Sequence, residues 1–343
     1  MPLGAHIYNA NLSGRRSAST FFIDMDNFIT MFIRVATLSL MILAGVIARR
    51  KGVLNVESTR ALSSLLMNYI YPPTIFASLV SGYTFKELLG SWVYPVSELV
   101  IFGVGFVVGA AVLCFFRKRS DGERRMFHYQ CCLLNFMFMP LPLVLGMFGE
   151  KGVAILSLCF VGGEIGVWTV GIVAITGGFS PKALRKVISM PMLAILLAVL
   201  FLVLEEYMPG LQPKKGTVLD MVCQSLLSTC RSMGAGTVGV SMIIAGSSMA
   251  GLKLNNIFQP FHMTLAACRL LIIPAFCLLV LRFLPIPDEG RIICYLVALM
   301  PCSIASVAYS SGFNADPDTG ATAILTTHVA CLLTVPLWMA IIS

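Results

Sequence analysis

Two short stretches combine proline with a polar side chain in otherwise apolar surroundings: Asn135-Phe-Met-Phe-Met-Pro140-Leu-Pro142 and Met300-Pro301-Cys302-Ser303. Proline lacks a backbone N–H and clashes with the preceding turn, so a helix that meets one in its interior kinks or stops. In hydrocarbon the freed backbone groups cost several kcal/mol each unless they line a cavity. An interrupted helix also exposes an N-terminal half-helix end with free N–H groups and about half an elementary positive charge. Two such ends close together favour an anion. The chemistry expected is therefore the holding of a carboxylate-bearing molecule near Pro140, Pro142 and Pro301, with Asn135 supplying an amide and Ser303 a hydroxyl.

Further residues belong to the same set. Glu164 lies mid-segment in Val161-Gly-Gly-Glu-Ile-Gly-Val-Trp. A carboxylate at that depth costs about 2.5–3.5 kcal/mol and is functional by default, which suits a proton carrier or a cation ligand. His328 titrates near neutral pH when unperturbed and is a second candidate for ion coupling. Asn68 and Tyr69 precede Tyr71-Pro72-Pro73 and are candidates for lining the site. Arg269 either neutralises Glu164 or an anionic substrate or snorkels to an interface. Arg34, Arg231, Glu98, Glu205 and Glu206 read as interfacial, and the Gly162-Gly163 and Gly234-Ala-Gly236 runs as close-packing surfaces.

The elements that must position these residues follow from composition. Of the 343 residues, 12% are charged and 57% apolar, and the mean hydropathy is +0.88. So few charges do not cover a water-soluble globule, and disordered chains have the opposite balance. A bilayer-spanning helix needs about 20 apolar residues, and ten segments qualify: 27–48, 60–80, 92–116, 126–148, 152–177, 186–206, 226–250, 261–283, 291–312 and 319–342. An all-α polytopic membrane protein is expected, with a polar N-terminal tail over 1–24 and a transmembrane domain over 25–343. The interruptions at Asn135–Pro142 and Pro301–Ser303 fall in segments 4 and 9, the same place in each five-helix half. Matched interruptions of this kind point to a transporter built from inverted repeats, here about 27–177 and about 186–342.

The net charge of +8 follows topology rather than nucleic-acid binding. Connections after odd-numbered segments carry Arg49, Arg50, Lys51, Arg60, Arg117, Lys118, Arg119, Arg124, Arg125, Lys182, Arg185, Lys186 and Lys253. Those after even-numbered segments carry only Lys86, Lys151, Lys214, Lys215, Arg282 and Arg291. The basic side is cytoplasmic, which places both termini outside a bacterial-type cytoplasmic membrane. The 11 cysteines form no Cys-x-x-Cys pair and indicate neither a disulfide framework nor a metal site. No Walker-type phosphate loop, HExxH or nucleophile–histidine–acid pattern is present, so no enzyme activity, cofactor or direct use of ATP is expected.

The segments Pro301-Cys-Ser-Ile-Ala-Ser-Val-Ala-Tyr-Ser-Ser-Gly-Phe-Asn-Ala-Asp-Pro-Asp, Gly320-Ala-Thr-Ala-Ile-Leu-Thr-Thr and Thr334-Val-Pro-Leu-Trp resemble the end of the auxin efflux carrier family, which includes plant PIN-type auxin exporters and bacterial malate or malonate permeases. Gly45-Val-Ile-Ala-Arg-Arg-Lys-Gly-Val-Leu, Arg60-Ala-Leu-Ser and Pro72-Pro-Thr-Ile-Phe resemble its opening helices. Asn135 with Pro142, Ile244-Ala-Gly-Ser-Ser-Met-Ala and Arg269-Leu-Leu-Ile-Ile-Pro resemble its fourth, seventh and eighth. The resemblance implies ten helices in two inverted five-helix repeats, with broken, crossing helices 4 and 9, as in bile-acid sodium symporters. A transport domain would move against a scaffold, elevator-fashion. Family members usually carry small residues where Phe136, Met137, Phe138 and Met139 stand here, with a glycine at the place of Pro140, and plant members carry an amide near Glu164.

The expected function is secondary transport of small organic anions, auxin-like acids or dicarboxylates, with proton coupling through Glu164. The alternatives are a sodium-coupled symporter and a membrane sensor that binds its ligand without moving it. The expected partners are the organic anion, the lipid bilayer and optionally a second copy in a homodimer, but no nucleic acid.

Overall fold

The computed structural model describes residues 25–179, 181, 182, 185, 187–208, 216–251, 258–307 and 313–342. The tail over 1–24, Lys186, Lys214, Lys215, Lys253 and the far end of the ninth expected segment (308–312) lie outside the described residues. Among the described residues the chain is helical throughout. The one β-type pairing is an isolated antiparallel bridge between Leu134 and Cys302.

In chain order the helices are α1 (Met25–Arg50), α2 (Val56–Leu65), α3 (Tyr71–Gly82), α4 (Phe85–Gly90), α5 (Val93–Leu113), α6 (Asp121–Cys132), α7 (Pro140–Gly166), α8 (Ile172–Thr176), α9 (Met190–Tyr207), α10 (Val218–Gly234), α11 (Thr237–Ala250), α12 (Pro260–Ala267), α13 (Ile273–Leu281), α14 (Asp288–Ala298) and α15 (Pro317–Ile342). Wide π-helical turns join α2 to α3 (Leu66–Ile70), α7 to α8 (Val167–Gly171) and α12 to α13 (Cys268–Ile272). Such turns are rare and concentrate at functional sites.

Seven helical runs among the described residues are long and apolar enough to cross a bilayer: Ile29–Arg50, Phe85–Leu113, Pro140–Thr176, Met190–Tyr207, Val218–Ala250, Pro260–Leu281 and Pro317–Ile342. Three of the ten expected segments are not among them: the fourth and ninth are interrupted, and the second, 60–80, is divided between α2 and α3 by the wide turn Leu66–Ile70. The run Pro140–Thr176 has 37 residues, well beyond the roughly 20 a bilayer requires. Gly149, at φ 62° and ψ −155°, divides it. Only a residue without Cβ adopts that conformation cheaply, so the second half of segment 4 and the whole of segment 5 are distinct lengths of helix.

The helices fall into two packing groups. In one, α1 lies along α11, α2 also touches α11, and α3 packs on α9 and α10. The α1–α11 contact is backbone-close: a Cβ on Gly246 would sit 1.9 Å from the Ile42 carbonyl oxygen, and one on Gly45 2.2 Å from that of Ile243. Small residues permit this approach where no hydrophobic effect drives helices together. Hydroxyl pairs, the buried Thr59 with Ser247 at 2.6 Å and the partly buried Thr74 with Thr237 at 3.2 Å, join α2 and α3 to α11. The second group centres on α5, which packs against α6, α7, α13 and α14, with α12 and α15 alongside. The groups meet chiefly where α1 lies on α15 and α3 on α7.

Candidate functional site

The second group holds the crossing of the two interruptions. The α6 helix opens on a capping box, in which the Ser120 hydroxyl accepts from the Glu123 N–H and the Glu123 carboxylate accepts from that of Ser120. It ends at Cys132, where Leu133 turns extended (φ −89°, ψ 106°). Helix resumes at Pro140, in the first position, where the missing N–H is no loss. The α14 helix ends at Ala298 ahead of Pro301, which disfavours helical geometry in the residue before it. The two extended stretches then satisfy one another. The Asn135 N–H donates to the Pro301 carbonyl at 2.8 Å, and the Ser303 N–H donates to the Leu133 carbonyl at 3.2 Å.

Each interruption leaves helix C-terminal carbonyls without partners, and Arg269 collects them. Its guanidinium is fully buried. Nε donates to the Met300 carbonyl at 3.1 Å, one terminal nitrogen to that of Cys131 at 3.2 Å, and the other to that of Ala298 at 2.6 Å. Helix C-termini carry about half a negative charge each, so one guanidinium matches the ends of α6 and α14 together in sign and in rough size. Arg269 therefore does not snorkel, and its hydrogen bonds go to backbone rather than to Glu164. It offsets the negative ends of α6 and α14, and the helix N-terminus that resumes at the first interruption is that of α7 at Pro140.

Asn135 is 5% exposed. Its amide oxygen accepts from the Phe138 N–H at 3.2 Å, so the side chain caps the unwound stretch from within. The Ser303 carbonyl accepts from the Ser306 hydroxyl at 2.7 Å, and that hydroxyl accepts from the Gln130 amide, also at 2.7 Å. The Thr327 hydroxyl on α15 accepts from the Cys302 N–H at 3.2 Å. Gln130, Ser306 and Thr327 are thus polar neighbours of the crossing that the proline pattern alone did not reveal; a polar residue just ahead of an interruption was the available signal. Pro140, Pro142 and Pro301 shape backbone: the first two open α7, and the third offers its carbonyl to Asn135.

Phe136 turns into an aromatic cluster with Phe102 and Phe160, at ring separations of 6.2 and 5.7 Å. It packs on Gly163 so closely that a Cβ there would lie 2.7 Å from the ring. Glu164, the next residue, is half-buried and takes a hydrogen bond from the Trp168 side chain one turn on. The carboxylate thus stands beside the interruption but is tied within its own helix.

Other expected site residues are placed differently. Asn68 donates to Ser64 within its own segment at 3.0 Å, and Tyr69 is 60% exposed, so neither shows a contact with the crossing. His328 is buried on α15 beside Thr327. Its Nδ1 lies 2.8 Å from the Ile324 carbonyl, and Nε2 has no partner among the described residues. Arg231 is exposed and paired with Glu150 at 2.9 Å, and the exposed Lys86 pairs with Glu206 at 2.8 Å. Arg34 is half-buried with its guanidinium against Gly146. Gly162, Gly163 and Gly234 are tight contacts, whereas Gly236 faces open space. Glu98 is not interfacial: it is fully buried on α5.

The described cavities lie away from the crossing. One of about 410 Å³ is lined by Ser81, Thr84, Phe85, Glu87, Glu205 and Glu206. Another of about 380 Å³ is lined by Phe106, Asp121, Arg124, Arg125, His128 and Thr176.

Comparison with known proteins adds a family. A model described as "Membrane transport protein" matches the chain twice, over residues 30–182 and 178–339. An uncharacterized transporter of Methanocaldococcus jannaschii is 22% identical over 306 residues, covering 87% of this chain and 94% of its own. An uncharacterized transporter of Methanothermobacter thermautotrophicus is 23% identical over 323 residues, covering 90% and 97%.

Proposed function

The chain belongs to the membrane transport protein family, that of the auxin efflux carriers, and on that premise we propose that it is a secondary transporter of small organic anions with ten membrane segments in two inverted five-helix repeats. The reading rests above all on one observation, the backbone-paired crossing of two interrupted helices whose negative ends are neutralised by Arg269. What is left at the crossing is the N-terminal end of α7 with Asn135 and Ser303 near it. Pro140 and Pro142 carry no N–H and that of Leu141 donates to the Met137 carbonyl at 3.2 Å, so it is the helix dipole, with the Asn135 and Ser303 side chains, that suits a carboxylate. Two successive matches to one family model support a duplicated plan, with repeats over about 27–177 and about 186–342.

The two packing groups supply the moving parts. The group around α5 carries the crossing and slides as a body against α1, α2, α3, α9, α10 and α11, so that the site opens to one side of the membrane and then the other. The glycine contacts and hydroxyl pairs within the second set suit a rigid frame. Both termini lie outside a bacterial-type cytoplasmic membrane, by the distribution of Arg and Lys. Glu164 flanks the binding position, and its charge disfavours a second anion there.

The test is uptake of labelled malate, malonate and an indole acid into proteoliposomes under an imposed pH gradient, with and without sodium. Saturable uptake of one of them is the expected result. Binding without flux makes the protein a sensor, and neither binding nor flux overturns the assignment of substrate class.

A further inference from the structure

Among the described residues, Glu98 is an acid for which packing gives no structural reason. It sits on α5 among α7, α13, α14 and the wide turn Cys268–Ile272, all in the group that carries the crossing. Its side chain is fully buried, and both carboxyl oxygens lack a hydrogen-bond partner among the described residues. The helix opposite is pressed against it: a Cβ on Gly162 would fall 2.9 Å from the Glu98 Cβ and 2.0 Å from the Pro95 carbonyl oxygen. The adjacent Ser97 hydroxyl is engaged elsewhere, with the Tyr94 carbonyl at 2.7 Å and the Cys294 thiol at 3.2 Å. A buried acid kept for structure normally hydrogen-bonds a neighbouring helix, and this one does not.

The titratable and charged groups that face it are few. They are the Cys159 thiol on α7, Cys277 on α13, Cys294 on α14 and Arg269 on the wide turn. Arg269 is the cation among them, and it spends its N–H groups on the carbonyls of the crossing. Glu98 and Arg269 thus interact through space without touching, across an interior in which charges are poorly screened.

We infer that Glu98 is a proton-binding site that couples protonation to anion binding at the crossing through the charge balance around Arg269. The inference rests on the organic-anion reading above. Arg269 and the two helix ends that it caps balance one another, so an ionised Glu98 leaves this interior one charge negative and a carboxylate is poorly held at the crossing. Binding of one proton forms the O–H bond of the neutral acid, removes that charge and leaves the positive end of α7 to favour the anion. Proton and monocarboxylate then occupy the moving group together and carry no net charge across the membrane. The coupling is reciprocal: a bound anion favours the neutral acid as much as the neutral acid favours the anion. Glu164, held by Trp168, is not needed for this step.

The experiment measures the affinity of the purified full chain for whichever of malate, malonate and the indole acid the wild type transports, as a function of pH. Wild-type affinity falls by about tenfold per pH unit once Glu98 ionises. Glu98→Gln, which has the shape and charge of the neutral acid, binds the anion with a flat pH dependence. It exchanges anion for anion but no longer accumulates it on a pH gradient. A variant that keeps the wild-type slope overturns the inference and leaves the transport assignment standing. Absence of transport by the wild type sinks that assignment instead. Independently of any variant, a pH-indicator dye reads about one proton taken up per anion bound by the wild type; no uptake overturns the coupling.

Discussion

The backbone N–H of Asn135 donates to the carbonyl of Pro301 across 2.8 Å, so the residues that open the two interruptions hold one another. Main chain makes this bond, and the Asn135 side chain is occupied with the N–H of Phe138. Structure and recognition are therefore separable at this residue. In Asn135→Ala the crossing persists and the cap is lost, a cost of about 1 kcal/mol by analogy with helix caps. Thermal unfolding in detergent should shift only slightly, while uptake falls at least tenfold. A large loss of stability with normal uptake per folded molecule would make Asn135 a structural cap alone.

Arg269 is expected to behave in the opposite way. Arg269→Met strands three buried carbonyls, at about 1–3 kcal/mol for each unsatisfied group, and removes the charge opposite two helix ends. Expression and thermal stability should collapse. Arg269→Lys, with one ammonium in place of a planar fork, should recover only part of the loss. A Met variant as stable as the wild type would refute the capping role.

Two glycines make a matched pair for packing. Gly246→Ala drives a methyl into the Ile42 carbonyl, whereas Gly236→Ala meets nothing within 4 Å. Overpacking of this kind costs about 1–3 kcal/mol. The first variant should lower the unfolding temperature by several degrees and the second should leave it unchanged, as read by tryptophan fluorescence. Equal effects would mean that α1 and α11 are not in close register.

Glu164→Gln removes a negative charge beside the crossing while an amide oxygen still accepts from Trp168. Anion affinity should rise severalfold at neutral pH, and the pH dependence should remain. Loss of the pH dependence would return ion coupling to Glu164.

Much of this was legible in the sequence, for local reasons. Pro140, Pro142 and Pro301 announce interruptions because proline acts on its own chain neighbours, and apolar runs of about 20 residues cross a bilayer as helices. The roles of Arg269 and Glu98 were not legible. Arg269 reads equally as a snorkelling side chain, because its partners Cys131, Ala298 and Met300 are distant in sequence and present only carbonyls, which every residue has. Glu98 lies six residues into α5, a depth that suggests an interface until α7 and α14 are seen to cover it. Tyr69 misled for the converse reason: a polar aromatic beside prolines resembles a lining residue, yet its helix turns it outward.

The bridge between Leu134 and Cys302 also sets an order of assembly. During synthesis the stretch from Leu133 to Met139 enters the membrane long before its partner exists, with peptide groups that no helix satisfies. The first half of the chain must therefore wait, shielded by the insertion machinery or by water, until Pro301 to Ser303 emerge. A chain that stalls between these points carries unsatisfied main chain at membrane depth, which costs several kcal/mol per group. The pairing at the crossing is thus a late act of assembly, completed only when most of the chain has been made.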